Sequence, residues 1–242
     1  MNILPDRRKS RFDEGLAERM NKLAEEEARK EALEEKVRKE EPKGVVPEQK
    51  VPATIKDICQ GYEEFMRRFE EIDNIPTEIT DRYNPTKKQV LEFSRRVEQY
   101  LLLPFFAGNT AIYLSALMQS SKDKEFEIDL PKRIMLNSIG YRLQGKKLAV
   151  NGNAGNWVGS NAKDSVITVN GDVCGYLGLF AQNCIIRVHG EAGDEVGYGA
   201  ENSKIYITGS HNRLSEMIGK NTCVYEQRKR LLLNKRKWVR LR

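Results

Sequence analysis

The sequence predicts an α+β protein in which a helical N-terminal region precedes a short β-solenoid, with a basic C-terminal tail. Gly152, Gly171, Gly190 and Gly209 recur every nineteen residues, and a fixed period of that length marks a chain wound into stacked coils. In the same frame the apolar columns Leu148, Ile167, Ile186, Ile205 and Val150, Val169, Val188, Ile207 flank changeable positions such as Ala149, Thr168, Arg187 and Tyr206. That is the in-out-in pattern of a short strand. Upstream, Ile55, Ile58, Tyr62, Phe65, Met66, Phe69 and Ile72 return at helical spacing and form a broad apolar face.

Residues 1–52 divide into a charged helix and a linker. From Arg11 to Glu41 the chain is dense in Glu, Lys, Arg and Ala, with Phe12, Leu16, Met20, Leu23, Leu33 and Val37 as its sizeable apolar points. Helical propensity is strong and the stripe is thin, which fits a solvated helix or one that docks on a partner or on its own copy. Pro42 to Pro52 then reads as an extended linker. Arg7, Arg8 and Lys9 are followed by charged residues and not by an apolar run, so no signal peptide is expected and the protein is expected in the cytoplasm.

Residues 53–125 read as a helical domain. Thr54 with Asp57 caps a first helix that ends before Pro76; a second starts around Asn84 to Thr86, with Pro85 at an early position, and runs towards Pro104. A third is expected after Gly108, capped by Asn109 or Thr110 and carrying Ile112, Tyr113, Leu114, Leu117 and Met118. Tyr100 to Ser121 contains no charge, but Pro104 and Gly108 divide it into two helix ends, so a buried floor is expected there and not a membrane span.

Residues 130–225 form the repeat. A second apolar column (Val158, Leu177, Val196) precedes a second glycine column (Gly159, Gly178, Gly197), followed by small residues (Ala162, Ala181, Ala200, Gly219) and by Asp164, Asn183, Asn202 and Asn221. The glycines are expected at positive-φ corners, and the Asn side chains are expected to bond turn amides and one another. Ile139 and Gly140 fall one period before Val158 and Gly159, which places the start of a degenerate coil near Ile134. Asn212 and Glu216 replace the glycines of the preceding coil, as suits a terminal repeat.

The segments GNAGNWVG (152–159), GDVCGYLG (171–178) and GEAGDEVG (190–197), each followed by an I-x-V or I-x-I strand, resemble the GXGXG repeat domain of the glutamate synthase large subunit and of an archaeal formylmethanofuran dehydrogenase subunit. The resemblance covers residues 134–225. It implies a right-handed β-helix acting as a scaffold that packs against catalytic parts and supplies no reacting group. Cys174 stands where the motif has a glycine, and nothing in residues 1–130 resembles the catalytic parts of glutamate synthase.

Charge is concentrated at one end. The chain carries 41 basic and 35 acidic residues, yet residues 226–242 alone hold eight basic residues and one acidic. There Arg228, Lys229, Arg230, Lys235, Arg236, Lys237, Arg240 and Arg242 alternate with Leu231, Leu232, Leu233 and Trp238. Cations neutralise phosphates and an aromatic face stacks on an unpaired base, so one expectation is an RNA or ribosome contact through these residues, Trp238 included. A cover for the open end of the solenoid is the other, since solenoid ends need caps. An acidic protein partner or a membrane surface would also attract the charge.

No catalytic arrangement emerges. Cys59, Cys174, Cys184 and Cys223 contain no C-x-x-C pair, and His189 and His211 have no partner at ligand spacing, so neither metal nor other cofactor is expected. The glycine clusters lack a phosphate-loop pattern. Asp172, Glu191, Asp194, Glu195 and Glu201 lie at coil corners, where solvated carboxylates are the ordinary case. The expected function is therefore a non-catalytic binding or assembly protein, with RNA or the ribosome as partner of the tail and a protein partner or second copy at the N-terminal helix or solenoid end. The alternative is an accessory scaffold subunit of a multisubunit oxidoreductase.

Overall fold

The structure is a computed structural model that describes residues 54–68, 75–226, 229–234 and 237–240. The charged helix expected over residues 11–41 and its linker lie outside the described residues. Helix α1 (Ile55–Arg68) opens on the predicted cap: Thr54 N donates to Asp57 Oδ2 at 2.7 Å and Asp57 N donates to Thr54 Oγ1 at 3.2 Å. Helix α2 (Thr77–Arg82) has no counterpart in the sequence reading, because six residues give no legible period; it buries Ile79 and, just beyond its end, Tyr83. Helix α3 (Lys87–Arg96) carries a full capping box between Thr86 and Gln89 and leads into a 3₁₀ turn, Val97–Tyr100.

Helix α4 (Phe106–Ser120) corrects the expected third helix, since it starts before Gly108 and contains Gly108, Asn109 and Thr110 within it. Burial on nearly all sides replaces a side-chain cap as the reason it forms there, with Phe105 entering at φ +54°. Its polar groups are satisfied internally. The Tyr62 hydroxyl lies 2.6 Å from Thr110 Oγ1, Tyr113 donates to the Ile58 carbonyl at 2.7 Å, and Ser115 donates to that of Ala111. Burial pushes the Tyr62 phenol up to about 12, with the Thr110 bond working in the opposite direction. Tyr62 packs edge-on against Phe93 and Tyr113. Among the described residues, no helix is long and apolar enough to cross a membrane.

Strands β1 (Glu125–Asp129), β2 (Lys147–Asn151), β3 (Val166–Asn170), β4 (Ile185–Val188), β5 (Lys204–Ile207) and β6 (Cys223–Glu226) pair in parallel in chain order. From β2 onward partners are nineteen residues apart, as in Leu148, Ile167, Ile186, Ile205 and Val224, so this is a parallel β-solenoid. The first step differs. Phe126 pairs with Leu148 and Ile128 with Val150, an offset of twenty-two residues. Three residues are inserted between Leu130, whose N–H still bonds Asn151 O, and Leu136, whose carbonyl takes the Gly155 N–H. The solenoid therefore starts at Glu125 and not near Ile134, and the insertion hides β1 from the repeat. In the last coil Leu214 pairs with Val196 at an offset of eighteen and occupies the position the period assigns to Ser215.

Helices and solenoid share one continuous core that runs from Ile58 to Val224. Arg95 binds Asp129 at 2.7 Å, and buried Lys146 donates to the carbonyls of Ser121 and Asp123 at 2.7 and 2.8 Å. The helices thereby cover the β1 end of the coils.

The two glycine columns do different work. Gly140, Gly159, Gly178 and Gly197 have φ between +70° and +77° and turn the corner. In the other column Gly152 has φ +122°, as expected, but Gly171, Gly190 and Gly209 do not adopt positive φ, contrary to the expectation; a Cβ on Gly171 would stand 2.4 Å from Gly152 O, and one on Gly209 would stand 2.6 Å from Gly190 O. Close approach of successive backbones is what demands glycine there. The column Asp164, Asn183, Asn202 and Asn221 does lie at positive φ, and Asn183 donates to Asp164 and Asn221 to Asn202, each at 3.0 Å.

Candidate nucleic-acid interface

The basic segment is built into the sheet. Strand β7 (Lys229–Asn234) pairs antiparallel with β6, and β8 (Lys237–Arg240) pairs antiparallel with β7, so a hairpin extends the solenoid's sheet by two strands. Lys229, Arg230, Lys237, Trp238 and Arg240 belong to these strands, whereas Arg228, Lys235, Arg236 and Arg242 lie outside the described residues.

Strand register sorts the hairpin residues into two sets, because side chains alternate between faces and directly paired residues share one. Leu231 is paired with core residue Val224 and with Arg240; Leu233 is paired with Trp238, and Lys229 with Glu226. These positions share the parity of the solenoid core. Arg230 is paired with Tyr225, Leu232 with Val239, and Asn234 with Lys237, and these continue the outer face. Both sets are mixed: Leu231, Leu233 and Trp238 share the core parity with Lys229 and Arg240, while Arg230 and Lys237 share the outer parity with Leu232, Asn234 and Val239.

On that outer face Arg187, Tyr206 and Tyr225 stand in one column of β4, β5 and β6. The tyrosine rings stack at 4.7 Å between centroids with 10° between planes, and the Arg187 guanidinium lies 5.6 Å from the Tyr206 centroid. Arg230 holds the next register position. In the sequence this column looks merely changeable; the signal it holds is that an arginine and two tyrosines coincide at successive nineteen-residue steps. Beside them, Asn170, His189, Lys204 and Thr208 are exposed.

The face is electrically graded. Its β1 end carries Glu125, Glu127 and Asp129, bound by Lys147, Asn151 and Arg95. Bonds from Asn151 and then Arg95 hold the Asp129 carboxyl below the usual carboxylate range. Cations collect at the opposite end, at Lys204, Arg230 and Lys237.

No group of three or more His, Cys, Asp or Glu able to hold a metal occurs among the described residues. Asp172 Oδ1 accepts from the Glu191 N–H and Glu195 pairs with Arg213, so these corner carboxylates serve turns and surface pairs. Cys184 is buried in a column with Ser165, Ser203 and Thr222, and its thiol donates to the carbonyls of Ala162 and Gln182. At another corner Trp157 and Tyr176 stack while holding φ of +62° and +59°. Leu101, Leu102, Phe105 and Met135 are also exposed, Leu102 at 97%. Comparison with known families, curated proteins and solved structures finds no match.

Proposed function

We propose that this chain is a non-catalytic cytoplasmic binding or assembly protein, whose solenoid presents a basic hairpin to RNA or to the ribosome. The observation that carries the reading is the register of Arg230 with Tyr225, which continues the Arg187, Tyr206 and Tyr225 column into the cationic strands. Replacing Arg228, Arg230, Lys235, Arg236 and Lys237 by Gln, with Lys229 kept opposite Glu226, removes charge while leaving the apolar positions in place. Every phosphate that these cations neutralise adds about 0.7–0.9 to the slope of log affinity against log salt, so the slope should fall in the variant. Ribosome co-sedimentation or RNA affinity equal to the parent across a salt series, in a variant with parental circular dichroism, would refute the reading.

A protein-scaffold role is the second reading, as an accessory subunit of a multisubunit oxidoreductase. It is supported by the motif resemblance and by exposed Leu101, Leu102, Phe105 and Met135, since exposed apolar groups favour a protein partner. Recovery of a stoichiometric enzyme complex from native cells, free of RNA, would favour it over the first.

A further inference from the structure

We infer that the nucleic acid taken by the outer sheet face is duplex RNA, gripped by its phosphates and ribose hydroxyls and not by stacked bases; this rests on the proposed RNA contact. Sheet surfaces that bind unpaired strands do so with aromatic faces left open to the bases. Here both faces of Tyr206 and one face of Tyr225 are already taken. Tyr206 is sandwiched between the Arg187 guanidinium at 5.6 Å and the Tyr225 ring at 4.7 Å, and the two tyrosine planes are 10° apart. That separation is the ordinary strand spacing of about 4.7–4.9 Å. A base cannot enter between the rings without pulling β5 from β6, whose ladder runs through Tyr206 and Tyr225 themselves. The second flank of Tyr225 faces the β7 register position of Arg230.

The remaining aromatic of the segment is out of place for the same task. Trp238 is paired with Leu233, two residues from Leu231, which is paired with core residue Val224. Its register position therefore belongs to the core-side parity and not to the face that carries Arg187 and Arg230. What that outer face does offer is cations and hydrogen-bonding groups: Arg187, Lys204, His189 and Thr208, with Arg230 and Lys237 by register. A-form RNA displays phosphates and 2′-hydroxyls across a wide, shallow minor groove while its bases stay stacked on one another. Such a ligand forgoes nothing where Tyr206 is covered on both faces, whereas an unpaired strand loses that stacking partner. B-form DNA lacks the 2′-hydroxyl and presents a narrower minor groove.

The test uses the full chain with three probes of equal length at one moderate salt concentration: a 20-base-pair RNA duplex, unstructured oligouridine and a 20-base-pair DNA duplex, lengths chosen at roughly the span a double-stranded RNA domain covers. Duplex RNA should bind at least about tenfold tighter than either competitor, an order-of-magnitude margin in keeping with several interactions being exclusive to it. Arg187→Gln with Lys204→Gln should weaken it several-fold and lower the salt slope by about one for each phosphate no longer neutralised. Tyr206→Leu should leave oligouridine binding unchanged. Oligouridine binding as tight as the duplex, and weakened by Tyr206→Leu, would overturn the inference while sparing the RNA contact. DNA binding equal to RNA would overturn its 2′-hydroxyl component. Binding of none of the probes would overturn the inference together with the proposed function.

Discussion

Replacing Gly171 by Ala isolates the close approach of successive coils from backbone strain. The added Cβ would lie 2.4 Å from Gly152 O and 2.6 Å from both Gly152 C and Asn153 Oδ1, all on the neighbouring coil. Relieving the worst clash to ordinary van der Waals distance requires the coils to part by nearly 1 Å, on the order of what takes a good hydrogen bond outside its distance range. Three bonds bridge the coils there: Gly152 N to Asn170 O at 3.3 Å, Ala154 N to Asp172 O at 2.8 Å and Asp172 N to Asn153 Oδ1 at 2.9 Å. At about 0.5–1.5 kcal/mol each, breaking all three costs about 1.5–4.5 kcal/mol. Gly178→Ala is the control. It sits at φ +71°, but its Cβ would meet only side-chain ends, Ile186 Cδ1 at 3.0 Å and Ile205 Cδ1 at 3.2 Å. Its cost is mainly left-handed strain, about 1–2 kcal/mol. Urea unfolding with unchanged m-values should rank Gly171→Ala as the more damaging. A cost below about 1 kcal/mol for Gly171→Ala, outside the range of three broken bonds, would refute the reasoning.

Two further predictions follow from single side chains. The Asp129 carboxyl has its pKa lowered in the folded state by Asn151 and Arg95, so its contribution is complete above the unfolded value near about 3.9 and is lost as pH falls through the folded one; Asp129→Asn should flatten the acid limb of a stability–pH profile, and an unchanged limb would contradict this. Cys184 donates to two carbonyls from a column it shares with Ser165 and Ser203, so Cys184→Ser should cost within about 1 kcal/mol while Cys184→Val, which overpacks and removes both bonds, costs about 1–3 kcal/mol. Thermal denaturation of the pair checks the order, and a more stable Val variant would defeat it.

The sequence by itself determined the coil, because a repeat writes tertiary neighbours into the chain at a constant interval. Leu148 and Ile167 touch in space for the same reason that they align on paper, and the Asn183 and Asn221 bonds to their column neighbours follow. The Thr54 cap was legible because it spans three residues. Tertiary structure decided whatever breaks that interval or depends on which backbones approach. The three-residue insertion conceals β1, and burial from several elements sets the start of α4 at Phe106. The glycines at Gly171 and Gly178 look alike in the repeat, yet one is selected by a facing carbonyl and the other by its φ. The candidate site shows the same division. Eight cations in residues 226–242 are countable without a structure, but only antiparallel pairing assigns Arg230 to the column of Tyr225, and Trp238 to that of Leu233. Side chains alternate with each residue, so a strand's register, which composition does not contain, decides which charges meet a ligand and which face the core.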